Sequence, residues 1–181
     1  MNKYIERGFE TLEEYFKKYN KKDGFLLLFG ERDEIGKITA ITDGEIATGL
    51  IKKYGNPILW NDEAVNELYK EMARRDCAIA FDRDGNLIDT GRFVRNVDIK
   101  YIPDETLEKI KKYKKRLGTR HLAAAYASTF DIDAMAASEE IGTIMAFSDG
   151  YIIKVYEPLE SRIERIKNNC RMTRELLNAI F

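Results

Sequence analysis

The chain has 181 residues and a mass of 21.0 kDa, the size of one ordinary domain, since single cores are most often built from ~100–150 residues. Its 30 Lys and Arg against 31 Asp and Glu leave a formal charge of −1. No global basic field exists to gather nucleic acid or to hold the chain on an anionic membrane, so any anion site has to be local. With 44% hydrophobic residues and 3 prolines the chain can bury a core and is not a disordered tail. Cys77 and Cys170 lie far apart and His121 is the only histidine, which excludes a Cys/His zinc site and a disulfide scaffold. The N-terminal residues carry acids and lack the apolar core of a secretory signal. The longest apolar run, Phe25–Phe29, is far below spanning length. These features lead us to expect a reduced, cytoplasmic protein.

Residues 3–20 place Tyr4, Ile5, Phe9, Leu12, Tyr15 and Phe16 at three-to-four spacing between charges, which predicts an amphipathic helix. Asp23-Gly24 then turns the chain into a short buried strand over 25–29, bounded by Gly30. Further on, the pattern predicts a strand over 37–41, a turn at Asp43-Gly44, and a short helix over 45–53 that ends near Tyr54-Gly55-Asn56-Pro57. Asn61 or Asp62 caps a helix with Val65, Leu68 and Met72 on one face, finishing on Arg74 and Arg75. Residues 77–81 read as a strand, Asp82-Arg83-Asp84-Gly85 as a tight turn, and 86–94 as the returning partner of a hairpin.

Pro103-Asp104 opens a helix with Leu107, Ile110 and Tyr113 on one face and lysines on the other. Gly118-Thr119 breaks it, and Thr119 is the expected cap of a helix running through Ala123, Ala124, Ala125, Tyr126 and Ala127. Residues 132–137 are strand-like, Ser138-Glu139-Glu140-Ile141-Gly142 forms a turn, and strands follow over 143–147 and 150–156. Ile163, Ile166, Cys170, Leu176, Leu177 and Ile180 give residues 160–181 the pattern of a terminal helix or helix pair. Helices and strands alternate through most of the chain. We therefore read residues 1–181 as one α/β domain with a mixed central β-sheet flanked by helices, and place its motif-bearing core at about residues 23–156.

Three places could carry chemistry. Gly118-Thr119-Arg120-His121-Leu122 puts a hydroxyl, a five-donor guanidinium and an imidazole where free backbone N–H groups open a helix, a cradle for phosphate. Its structural alternative is a Thr cap with an exposed Arg and a His packed on the helix. Ser138, Glu139 and Glu140 leave the end of a strand together, and such oxygen ligands suit Mg²⁺ or Mn²⁺ completed by substrate phosphates; the alternative is a solvated turn. Asp76, at the entrance to an apolar strand, can orient or deprotonate a hydroxyl nucleophile, or hold the metal that does so. It can equally be a helix-ending acid paired with Arg74 or Arg75.

Together these motifs resemble the diadenylate cyclase domain found in the DNA-integrity scanning protein and in membrane-bound bacterial cyclases. There Gly-Thr-Arg-His-Arg is followed about one helix later by Ser-Glu-Glu-x-Gly. Here Gly118-Thr119-Arg120-His121-Leu122, Asp133-Ala134 and Ser138-Glu139-Glu140-Ile141-Gly142 follow in that order, and Asp76-Cys77-Ala78 is similar to the family's upstream Asp-Gly-Ala. Cys77 replaces the family glycine, Leu122 replaces the second arginine, and the stretch from Asp76 to Arg120 is longer than usual.

The resemblance implies condensation of two ATP into cyclic di-AMP and two pyrophosphates, with Mn²⁺ or Mg²⁺, at a face-to-face homodimer encounter that higher oligomers can also supply. It implies no need for nucleic acid or membrane. By the same likeness Asp76, Arg120 and His121 are the catalytic candidates. Cys77, Ala78, Gly91, Arg92, Gly118, Thr119, Arg120, His121 and Ser138 are expected to bind ATP, with Thr90 beside them on the adenine-facing edge, and Asp76, Glu139 and Glu140 are expected to bind metal. Two rivals remain. One is a nucleotide-binding oligomerisation module whose Cys77 and Leu122 mark lost activity. The other is a haloacid-dehalogenase-type phosphatase using Asp82 and Asp84, although a plain Asp-Gly hairpin turn explains those residues with less machinery.

Overall fold

The computed structural model describes residues 2–19, 23–41, 44–73, 75–113, 118–139, 142–159, 162–163 and 166–167. In chain order these form helix α1 (Lys3–Tyr19), strand β1 (Phe25–Phe29), α2 (Arg32–Ile38), β2 (Thr39–Ile41), α3 (Glu45–Tyr54), α4 (Asp62–Met72), β3 (Ala78–Phe81) and β4 (Leu87–Val94). They continue through α5 (Asp104–Tyr113), α6 (Thr119–Ala127), β5 (Asp133–Ala137), β6 (Ile144–Ser148) and β7 (Tyr151–Tyr156). The terminal helix expected over 160–181 falls mostly outside the described residues.

The strands make one seven-stranded sheet in the order β2-β4-β3-β1-β5-β6-β7. β1 pairs parallel with β3 and antiparallel with β5, and the remaining neighbours are antiparallel, so the sheet is mixed. Every residue of β1 is buried, as befits a strand covered on both faces. Its side chains alternate between two cores. Phe25, Leu27 and Phe29 join Ile5, Phe9 and Leu12 of α1 and Val65, Leu68 and Tyr69 of α4 on one face. Leu26 and Leu28 join Ile35, Ile110 and the alanines of α6 on the other.

That second layer is thin. Ala123, Ala124, Ala125 and Ala127 of α6 share this core with Ala78, Ala80, Ala134 and Ala136 of the strands, and small side chains on both surfaces let helix and sheet approach closely.

The structure departs from the sequence expectations in two places. The segment over 37–41 is a strand only from Thr39; before it lies α2, whose first turn carries Asp33 and Glu34 and whose start is held by the Glu34 carboxylate accepting from the Glu31 N–H at 3.3 Å. Thr119 is the first residue of α6 rather than its cap. Gly118 takes the cap position with extended backbone (φ −74°, ψ 138°) and no side-chain cap bond, and its carbonyl accepts from the Leu122 N–H at 3.1 Å.

The hairpin from β3 to β4 forms as expected. The Asp82 carboxylate accepts from the Asp84 and Asn86 N–H groups at 2.9 and 2.8 Å and from the Asn86 side-chain amide at 2.8 Å. Gly85 there has φ +84°, and a Cβ on it would lie 2.5 Å from Nε1 of Trp60, whose N–H donates to the Asp84 carbonyl at 2.7 Å. Asp82 is thus spent on its own turn.

Candidate functional site

β1 and β3 run in the same direction and β5 runs opposite, so the N-terminal ends of β1 and β3 and the C-terminal end of β5 lie at the same end of the sheet. Phe25 faces Ala137 and Leu26 faces Ala78 across the ladder. Asp76, just before β3, Gly24, just before β1, and Ser138, just after β5, are thereby gathered from distant parts of the sequence. The turn bearing Asp82 leaves the other end of β3, roughly 15 Å away along the strand.

The start of α6 completes the arrangement. A polar cavity of about 280 Å³ is lined by Asp76, Gly118, Thr119, Arg120, His121, Ala137, Ser138 and Glu139. The loop opening α6 and the bend after β5 therefore share one hollow. The first turn of α6 brings backbone N–H groups that lack intrahelical acceptors, and with them the positive end of the helix dipole. His121 is buried. Ser138 is buried too, and its Oγ has no hydrogen-bond partner among the described residues, although its backbone is held by Ser138 N–H donating to the Thr143 carbonyl at 2.9 Å and its own carbonyl accepting from the Gly142 N–H at 2.9 Å.

Arg120 dominates the electrostatics. Its Nη2 lies 3.0 Å from Oδ1 of Asp76 and its Nη1 lies 3.5 Å from Oε2 of Glu139. The two carboxylates are 84% and 63% exposed while the arginine is only 23% exposed. Asp76 thus pairs with a residue 44 positions later in the sequence, while Arg74, one of the partners its position suggested, lies outside the described residues.

Gly24 is the residue that the sequence reading did not connect to this site. A Cβ placed on it would sit 2.2 Å from Nη1 and 2.6 Å from Cζ of Arg120, so the guanidinium rests directly on the residue-24 backbone. The segment is fixed next door, where the Tyr15 hydroxyl donates to Oδ2 of Asp23 at 2.9 Å. Burial, and then that bond, push the Tyr15 hydroxyl pKa well above its ordinary value.

A second, more apolar hollow of about 100 Å³ adjoins the first and shares Asp76, Thr119 and Arg120 with it. Cys77, Ala78 and Arg92 line it, together with Leu26, Phe93, Val94, Val97 and Ala123. Gly91 and Thr90, expected beside Arg92, are not among its lining residues; Gly91 has φ +70° in a strand whose pairing with β3 shifts register. The wall comes instead from the residues after that irregularity. Arg92 is held from below, with Nη2 3.1 Å from Oδ2 of Asp89 and Nη1 donating to the Thr39 hydroxyl at 2.8 Å.

Leu122, at the position of the second arginine in the resembled motif, packs against the α6-side core. Glu140 lies outside the described residues.

The donor chemistry suits a hard divalent ion. Asp76 and Glu139 offer carboxylate oxygens on the two terminal nitrogens of the Arg120 guanidinium, and Ser138 offers a buried hydroxyl with no partner among the described residues. Among the described residues no group of three or more His, Cys, Asp or Glu side chains is placed to hold a metal by itself, so an ion held here would fill its shell with water or the oxygens of a bound molecule.

No protein-family model and no curated protein matches the chain. Solved structures do. A double cysteine mutant of DacA from Staphylococcus aureus is 20% identical, with a TM-score of 0.50 over 90% of this chain and 91% of that one. A hypothetical membrane spanning protein from Bacillus cereus is 17% identical, with a TM-score of 0.50 over 84% of this chain and 64% of that one. At such identities the likeness shows the fold, and the fold is that of DacA: the mixed sheet flanked by helices of a diadenylate cyclase domain. No helix among the described residues is long and apolar enough to cross a membrane.

Proposed function

We propose, from the fold shared with DacA, that this protein is a diadenylate cyclase joining two ATP molecules into cyclic di-AMP with release of two pyrophosphates. The observation that carries this reading is the polar cavity that Thr119, Arg120, Ser138, Glu139 and Asp76 line together. A triphosphate fits its chemistry: helix-end N–H groups, a guanidinium and an unpartnered hydroxyl all donate to phosphate oxygens. The adjoining apolar hollow against Cys77, Ala78 and Arg92 takes the base.

In each half-reaction the 3′-hydroxyl of one nucleotide attacks the α-phosphorus of the other. A phosphodiester forms, the bond to the β-phosphate oxygen breaks, and pyrophosphate leaves. Asp76, exposed at the cavity mouth, accepts a hydrogen bond from the attacking hydroxyl and orients it or takes its proton. Thr119, Arg120 and Ser138 hold the triphosphate, and His121, in the first turn of α6, balances charge on the departing pyrophosphate. Asp76 and Glu139 would hold Mg²⁺ or Mn²⁺ together with triphosphate oxygens, which when bound neutralises charge developing on the leaving group. One chain supplies one nucleotide cavity, so two copies meet face to face to bring two ATP molecules into line.

The test is to incubate the protein with ATP and Mn²⁺ and identify the nucleotide products by chromatography and mass. Cyclic di-AMP and pyrophosphate are expected, with specific activity rising with protein concentration. Asp76→Asn should abolish product while ATP binding persists. Turnover surviving that change would show that another group does the work assigned to Asp76. ATP bound by the wild type with no product would favour the oligomerisation-module reading, to which Leu122, partly buried against the α6-side core in place of a second arginine, lends support.

A further inference from the structure

The Arg120 guanidinium sits between the two carboxylates that a metal would share. Asp76 stands before β3 and Glu139 after β5, and the cation touching both is Arg120, at 3.0 and 3.5 Å. One positive charge against two negative ones leaves the pair with a residual attraction for a divalent ion. That ion has to take contacts the arginine already holds.

The seat is purpose-built. Gly24 is not in the left-handed region where turns favour glycine; what a side chain there would strike is the guanidinium itself, at 2.2 Å. The pose also leaves Arg120 incompletely satisfied, because its Nε is buried without a hydrogen-bond partner among the described residues, and the Oγ of Ser138, which lines the same cavity, is in the same condition. Buried donors left open in this way favour a second arrangement in which they are used.

We propose that Arg120 is a resident cation: in the nucleotide-free protein it occupies the metal position between Asp76 and Glu139, and the divalent ion gains that position when a triphosphate draws the guanidinium away. The inference rests on reading the cavity as a triphosphate site. It makes nucleotide and metal mutually dependent, since each assists the step that admits the other, and that coupling is reciprocal. It also keeps two like charges compensated in the empty protein.

The experiment is a Mn²⁺ titration followed by electron paramagnetic resonance on the full chain, with and without ATP, for wild type, Arg120→Gln and Gly24→Ala. Arg120→Gln should bind Mn²⁺ alone about tenfold more tightly than wild type, the scale set by releasing two partly exposed ion pairs, while its affinity for ATP falls. Gly24→Ala keeps the charge but crowds the guanidinium off its seat, so it too should tighten Mn²⁺ binding in the absence of nucleotide. In both variants the gain in Mn²⁺ affinity on adding ATP should shrink. Unchanged or weaker Mn²⁺ binding by folded Arg120→Gln overturns the proposal, and if that variant does not fold, the same result with Gly24→Ala does so. The titration involves no turnover. A wild type that makes no cyclic dinucleotide while the variants gain Mn²⁺ affinity would remove the cyclase reading and leave the resident cation standing; product formation without that gain would do the reverse.

Discussion

Ser138 is a buried hydroxyl on the wall of the polar cavity, without a hydrogen-bond partner among the described residues, and replacing it by alanine separates a site residue from a structural one. A buried polar atom left unsatisfied costs about 1–3 kcal/mol. Ser138→Ala removes that cost and leaves a void of one oxygen atom, so the nucleotide-free protein should gain about 1 kcal/mol. In a chain of this length such a gain raises Tm by about 2–4 °C. ATP binding should move the other way. A hydrogen bond to a charged phosphate is worth about 1.5–3 kcal/mol, so the variant should lose at least about tenfold in affinity, and the thermal shift produced by a fixed ATP concentration should shrink accordingly. Differential scanning calorimetry with and without ATP and Mn²⁺ measures both signs in one protein. Thr143→Val is the control: its Oγ1 is likewise buried and unpartnered, yet Thr143 is not among the residues lining the cavity, so it should gain stability and keep the ATP shift. A Ser138→Ala protein that melts several degrees lower, or keeps its full ATP shift, would refute the reasoning.

Two further expectations concern the scaffold. Asp89 and Arg92 form a buried pair, their side chains 10% and 4% exposed. Asp89→Ala should therefore cost about 3–5 kcal/mol by stranding the guanidinium, and adding Arg92→Met should recover much of it; urea unfolding of the single and double variants measures this, and a single-variant loss under about 1 kcal/mol would count against a tight pair. Tyr4 donates its hydroxyl to Asp133, and burial, then that bond, push its pKa from 10.0 up to about 12. The native protein holds this proton more tightly than the unfolded chain, so the contribution is full below pH 10 and fades as pH rises towards 12. Tyr4→Phe should flatten part of the alkaline loss of stability, and an unchanged slope of unfolding free energy across that window would contradict the assignment.

Much of the architecture is written locally. The three-to-four spacing in α1 and α4, the all-apolar β1, the Asp82 turn and the alanine run of α6 are each readable within a dozen residues, because burial on one face or both imposes its own period. The helix α2 is hidden because it is short, carries Gly36 in its middle, and buries only Ile35 and Ile38. The start of α6 is one residue off because a glycine in extended conformation does the capping where a hydroxyl was expected.

At the site, the order of the Arg120 and Ser138 motifs was legible, as was the acid at Asp76. What was not legible was the strand order. Placing β1 between β3 and β5 is a long-range outcome, and it alone carries Gly24 under the Arg120 guanidinium. The residues of the apolar hollow were only partly anticipated, because a register shift in β4 decides which of its side chains and backbone groups reach the edge.

The alanine-on-alanine contact between α6 and the sheet works as a spacer gauge. Where alanines stand on both surfaces there is almost nothing left to trim, and enlargement at those positions should lift the helix and carry Thr119 and Arg120 with it. Laboratory selection for altered ligand preference should consequently find its productive changes in the loops around the rim, while the inner surface of this rod stays nearly invariant.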